Sequence, residues 1–175
     1  MLEHPNKVFL LIETRFSSKQ KVINTIAYIN RFISMKTKKS TPGESLSIEE
    51  LEAAEMTIVR LIQQNYFPTE LKTLTKSPEA GTIPKNSSLA PLSAFVDQHG
   101  IIRVGGRLEN SDLSYDQKHP IILPSYHYAM LIVREAHQKN LHPRPSALKS
   151  FILQKYWIIN SRNIIRKITH DCVRY

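Results

Sequence analysis

Between Ser125 and Tyr175 the chain has room for three short helices and little else. "SYHYAMLIVREAHQKNLH" sets Met130, Val133 and His137 on one helical face, with Ser125 as the N-cap. "RPSALKSFILQKYW" reads as a second helix, with Pro145 near its first turn and Leu148, Phe151 and Ile152 turned inward. "NSRNIIRKITHDCV" reads as a third, capped by Asn160 or Ser161, with Ile164, Ile165 and Ile168 inward. Three such helices bury a small core, and units of this size often need a metal staple. A disulfide staple is excluded, because Cys172 is the only cysteine; its solitude also fits a reducing compartment.

Candidate staple residues sit at the helix ends. His137 lies near the end of the first helix, His142 just beyond it, and Cys172 near the end of the third. Zinc takes about four nitrogen or sulfur ligands in a tetrahedron, and these three side chains can supply two imidazoles and a thiolate. Where a C-x-x-C pair would place a second thiol, the residue is Tyr175, which ligates only as a phenolate and has an ordinary pKa near ~10. His170, two residues before Cys172, is a candidate substitute. The same residues also have a plain reading. Seven histidines bring a pair close by chance, and a lone cysteine is usually a small buried hydrophobe.

Upstream the pattern changes period twice. Residues 18–38 read as a helix with Val22, Ile26, Ile29 and Ile33 on one face. "KTKKSTPGES" breaks it, and "SIEELEAAEMTIVRLIQQNYF" starts another. There Ser47 and Glu50 form a capping box, and Leu51, Ala54, Ile58, Leu61 and Ile62 make the apolar face. Pro68 opens a further helical turn, and residues 75–91 read as a loop rich in proline and small polar residues. "SAFVDQHGIIRVGGRLENS" then predicts a β-hairpin turning at Gln98 to Gly100, and "HPIILP" a third short strand. The glycines of "VGG" mark a turn or bulge, since the run is too short for a phosphate loop. The expected fold is mostly α with a small β-hairpin module. Its expected parts are a helical region over 1–91, a β module over 92–124 and a three-helix unit over 125–175.

At 41% hydrophobic residues the chain can pack a core. No apolar run approaches the ~18 residues of a membrane span, and the N-terminus lacks the features of a signal peptide, so no membrane partner is expected. No paired carboxylates or nucleophile context argue for catalysis, and no motif calls for a small-molecule substrate. Charge is unevenly divided. Residues 1–46 carry +5, residues 47–100 carry −3 and residues 101–175 carry +7. From 131 onward nine basic residues stand against Glu135 and Asp171. That suits a polyanion, with Lys149, Lys155, Arg162, Arg166 and Lys167 as candidate phosphate contacts, or else it is a solvated face. Tyr156 and Trp157 read as core, with base stacking as the alternative.

The segment from "LSAFVDQHGIIRVGGRLENSDLSYDQKHPIILP" through "HQKNLHP" to "LQKYWIINSRNIIRKITHDCVRY" resembles the polyprotein of Bel/Pao-type LTR retrotransposons. In that family "R-V-G-G-R-L … K-H-P-I-L-L-P" precedes the integrase zinc-binding domain, whose His-His-Cys-Cys motif has "YWI" between its ligand pairs. Phe95, Asp97, Gly100, Arg103 to Leu108, Lys118 to Pro124, His137, His142, Tyr156, Trp157 and Cys172 carry the match. "AYINRFI" and "SIEELEAAEMTIVRLIQQNYFPTEL" are similar to the connector between RNase H and integrase. The chain departs from the pattern at Tyr175, where the family has its fourth cysteine, and at Arg144, where it usually has glycine.

The resemblance implies a zinc-finger-like helix-turn-helix over 125–175, with His137, His142 and Cys172 as metal ligands. It implies nucleic-acid binding at element ends, multimerisation during DNA integration, and an intracellular, nuclear location. It also implies no catalysis by this chain, which reads as a fragment without the integrase Asp-Asp-Glu core. The competing expectation is a metal-free helical module for protein interaction, or an inert remnant.

Overall fold

The computed structural model describes residues 7–38, 43–76, 83–106 and 112–172. Most of them are helical, with a small four-stranded sheet. In chain order the elements are α1 (Lys7–Thr14), α2 (Lys19–Lys38), α3 (Ile48–Tyr66), α4 (Pro68–Lys76), β1 (Phe95–Val96), β2 (Ile102–Arg103), α5 (Tyr115–Lys118), β3 (Ile121–Leu123), α6 (His127–Lys139), α7 (Pro145–Leu153), β4 (Tyr156–Ile158) and α8 (Ser161–His170).

α3 is the spine. Ser47 and Glu50 close the expected capping box, Glu50 N donating to Ser47 Oγ and Ser47 N to Glu50 Oε2. Ala54, Ile58, Val59 and Ile62 are buried along it. α2 packs beside α3 through Val22, Ile23, Ile26 and Ala27. The expected stripe fails in its second half, because Ile29 and Ile33 are exposed. The contact face continues instead through polar residues: Asn30 Nδ2 donates to Thr57 Oγ1, and Arg31 Nε donates to Glu50 Oε1 at 2.7 Å. A polar continuation of a helix stripe is invisible to a hydrophobic period.

The hairpin forms as expected. β1 and β2 are antiparallel, pairing Phe95 with Arg103 and Val96 with Ile102. Asp97 organises the turn: its Oδ1 accepts from the His99 and Ile101 amides, both at 2.9 Å, while Gly100 takes φ 73°. Arg103 donates to Asp97 Oδ2 at 2.6 Å, and to Asp116 Oδ1 and the His119 carbonyl at 2.8 Å. Gly105 is required by space, since a Cβ there would lie 2.3 Å from the Ser93 carbonyl oxygen. β3 joins β2 antiparallel, as the third strand.

The fourth strand was not expected. α7 ends at Leu153, and Tyr156, Trp157 and Ile158 leave the helix to pair in parallel with Ile121, Ile122 and Leu123. The aromatic and β-branched run fits a pleated strand better than a helix, and pairing with β3 decides it. The two faces of β4 serve different clusters. Tyr156 and Ile158 enter the large one, which runs from Phe9 to Ile165, and Trp157 packs on the smaller one with Ile102 and Ile122. Two further expectations change. Phe151 is 40% exposed, because Leu148 and Ile152 already define the inward line of a short helix. Tyr126, not Ser125, precedes α6, because a tight turn from Tyr126 N to the Pro124 carbonyl absorbs Ser125.

Two buried polar side chains of α3 hold this arrangement. Gln63 is fully buried; its Nε2 donates to the carbonyls of Ile102 and Ile122 at 2.9 and 2.8 Å, and its Oε1 accepts from Ile102 N at 2.8 Å. Glu55 receives Lys19 Nζ at 2.7 Å, Lys155 Nζ at 2.6 Å and the Tyr156 hydroxyl at 2.6 Å. Burial opposes ionisation of Glu55, but Lys19 and Lys155 outweigh it and hold the carboxyl at about 2.

Gln63→Leu is expected to cost about 2–4 kcal/mol in denaturant unfolding, because it strands three buried backbone groups; a cost under about 1 kcal/mol would mean that the bridge is dispensable. The depressed Glu55 value gives a second expectation. Its stabilisation is complete above the ordinary carboxyl value of 4.5 and is lost as pH falls toward about 2. Wild type should therefore lose roughly 2–3 kcal/mol more than Glu55→Gln between pH 5 and pH 2, measured by urea unfolding across that range.

Candidate metal centre

His137 lies on the last turn of α6 and is 3% exposed. Among the described residues, neither its Nδ1 nor its Nε2 has a hydrogen-bond partner. The chain then reverses. Leu141 and His142 both adopt left-handed backbone, at φ 58° and 59°, and His142 N donates to the His137 carbonyl at 2.8 Å. Two consecutive non-glycine residues in that region are strained, by roughly 1–2 kcal/mol each. The reversal folds the His142 ring against that of His137, with centroids 4.8 Å apart and planes at 89°.

α8 delivers the third group. Ile164, Ile165 and Thr169 are buried, and α8 packs on α6 and α7. Cys172 follows its end, with Sγ 3.2 Å from His142 Nδ1. The ligand atoms of His137, His142 and Cys172 lie within 4.8 Å of one another. In a tetrahedral site with bonds of ~2.0–2.3 Å, ligand atoms stand about 3.3–3.8 Å apart. A contraction of about 1 Å would bring all three within bonding distance of one ion. Burial, with repulsion from His142 second, lowers the His137 pKa and favours the neutral imidazole that metals require. The group can hold a metal ion, which would take up one of the two His137 nitrogens.

A pocket of ≈ 300 Å³ opens onto the three side chains, and Arg134, Gln138, Lys167 and Asp171 also line it. His170 stays out of the group, its side chain 90% exposed and its Nδ1 3.5 Å from Asp171 Oδ1. Tyr175 lies outside the described residues.

The five basic candidates separate. Lys149, Arg162 and Arg166 share one cleft of ≈ 410 Å³ between α7 and α8, with Pro145, Ser146 and Ile165 and, among the described residues, no carboxylate in its lining. Lys167 lies on the metal-side pocket. Lys155 is bound to Glu55. Among the aromatics, Tyr156 is buried and Trp157 half-buried, as core residues are. Sequence reasoning missed Glu55 and Gln63, although a polar residue flanked by apolar ones along a helix's buried stripe is a readable signal. Asp171 entered that reasoning only as one of the two acids in a basic segment.

No protein-family model matches this chain, and no curated protein or solved structure does either.

His137→Phe should raise the stability of the metal-free chain by about 1 kcal/mol, since it removes two unpartnered buried nitrogens while keeping a ring of similar shape. Destabilisation in chelator-treated protein, read by thermal unfolding, would show that those nitrogens already have partners.

Proposed function

We propose that residues 125–175 form a zinc-stabilised helix-turn-helix unit that binds nucleic acid, and that the chain performs no catalysis itself. The role is that of the integrase zinc-binding domain in Bel/Pao-type retrotransposons, namely binding element-end DNA and multimerising in the nucleus. The observation that carries the reading is the convergence of His137, His142 and Cys172 within 4.8 Å, with the His137 nitrogens unpartnered among the described residues. The donor chemistry suits zinc, which takes imidazole and thiolate together. The cleft of Lys149, Arg162 and Arg166 supports the nucleic-acid part, because cations on adjacent helices with no carboxylate beside them among the described residues can meet successive phosphates.

A second reading keeps one supporting observation. Tyr28, Phe32 and Ile33 are 54–55% exposed on α2, with Ile29 beside them at 41%, which suits a metal-free protein-interaction module.

Zinc should raise the melting temperature of the full chain, and a chelator should reverse the rise. Duplex DNA affinity should fall steeply with salt. Each of Lys149→Gln, Arg162→Gln and Arg166→Gln should lower the slope of log affinity against log salt by about 1. Lys155→Gln should change the slope least, because Lys155 is committed to Glu55. A melting temperature indifferent to zinc, together with salt-independent or absent DNA binding, would favour the interaction module.

A further inference from the structure

We infer, on the zinc reading proposed above, that Asp171 supplies the fourth ligand of the metal centre. Two imidazoles and one thiolate leave one tetrahedral position to fill. Among the described residues, Asp171 is the one carboxylate lining the pocket onto which His137, His142 and Cys172 open. It precedes Cys172 directly at the end of α8, so the same helix end delivers both groups. Its side chain is 62% exposed, and its recorded ion pair is a long 3.5 Å contact with His170. Swinging the carboxylate inward therefore breaks little.

The charge balance points the same way. A divalent cation with one thiolate and two neutral imidazoles leaves a net positive centre. That centre would sit beside Arg134 and Lys167, which line the same pocket. A carboxylate ligand makes the centre neutral and offsets this local excess of positive charge. Aspartate oxygen is an ordinary zinc donor at ~2.0–2.2 Å. Cysteine three residues after Cys172 is thus not the one way to complete the set. An oxygen donor one residue before it does so without the terminal residues.

The test uses the full chain and cobalt(II) as a spectroscopic probe, followed by zinc competition against a chromogenic chelator. Asp171→Asn should weaken zinc by more than the roughly 10–100-fold that loss of an outer-shell partner costs. It should also change the intensity of the cobalt d–d bands, while far-UV circular dichroism stays unchanged at this exposed position. Asp171→Glu, which keeps a carboxylate, should recover part of the affinity. Wild-type affinity and spectrum in Asp171→Asn would overturn the assignment and leave the zinc reading standing. Loss in Tyr175→Phe, with none in Asp171→Asn, would also overturn it and move the fourth ligand to Tyr175. Absence of any metal binding by wild type would remove the zinc reading and this assignment together.

Discussion

One ionised carboxylate ties the two ends of the chain together. Glu55 projects from α3 into the core, where an unpaired charge would cost several kcal/mol. It is held by Lys19, the first residue of α2, and by Lys155 and Tyr156 at the start of β4. These partners are far from Glu55 in sequence, on either side of it. The pair Lys19–Glu135, at 3.6 Å, extends the same network to α6. Removing one member of such a network leaves the others buried and unpaired, which is why buried ion pairs are costly to break even where they add little net stability.

The sheet depends on a similar substitution of side chain for backbone. Its strands are two or three residues long, too short to hold register by ladder bonds alone. Gln63 bonds the backbone of both β2 and β3 with one amide, and so locks α3 to the sheet at the point where the hairpin meets the third strand. The metal-side geometry follows from this frame. β3 leads into α6 and hence to His137, and β4 leads into α8 and hence to Cys172. Because β3 and β4 are paired in parallel, the two helices start from one edge and end with their ligands together.

Elements with a local cause were legible in the sequence. The capping box of Ser47 and Glu50, the Asp97–Gly100 turn and Pro145 at a helix start all act within a few residues, and each is where the pattern puts it. Elements decided by distant partners were not. "YWI" is helical by its neighbours and a strand by its pairing with β3. The second half of α2 turns a polar face to α3 because Glu50 and Thr57 wait there. The convergence of His137, His142 and Cys172 was foreseeable from their positions at helix ends, whereas the separation of Lys155 from Lys149, Arg162 and Arg166 required knowing where Glu55 lies.

Local rules are broken at one place more than elsewhere, and the breaks share a cause. Leu141 and His142 sit in left-handed backbone without glycine, and Leu141 is 88% exposed, so no packing of its own side chain offsets that cost. A few ångströms away His137 buries two nitrogens with no partner among the described residues. Each of these features costs roughly 1–3 kcal/mol, a sizeable sum for a unit built on three short helices. Strain persists where surrounding contacts over-determine it. The left-handed pair is what turns His142 onto His137, and the empty nitrogens are what the turn aims at Cys172. A bound cation would take up one of the two nitrogens and use the reversal, so one ligand would offset part of both costs at once. Without a cation, relaxation of residues 140–142 into an ordinary helix end would relieve the strain and separate the two imidazoles. The geometry of this corner is therefore that of a group that could hold a metal ion.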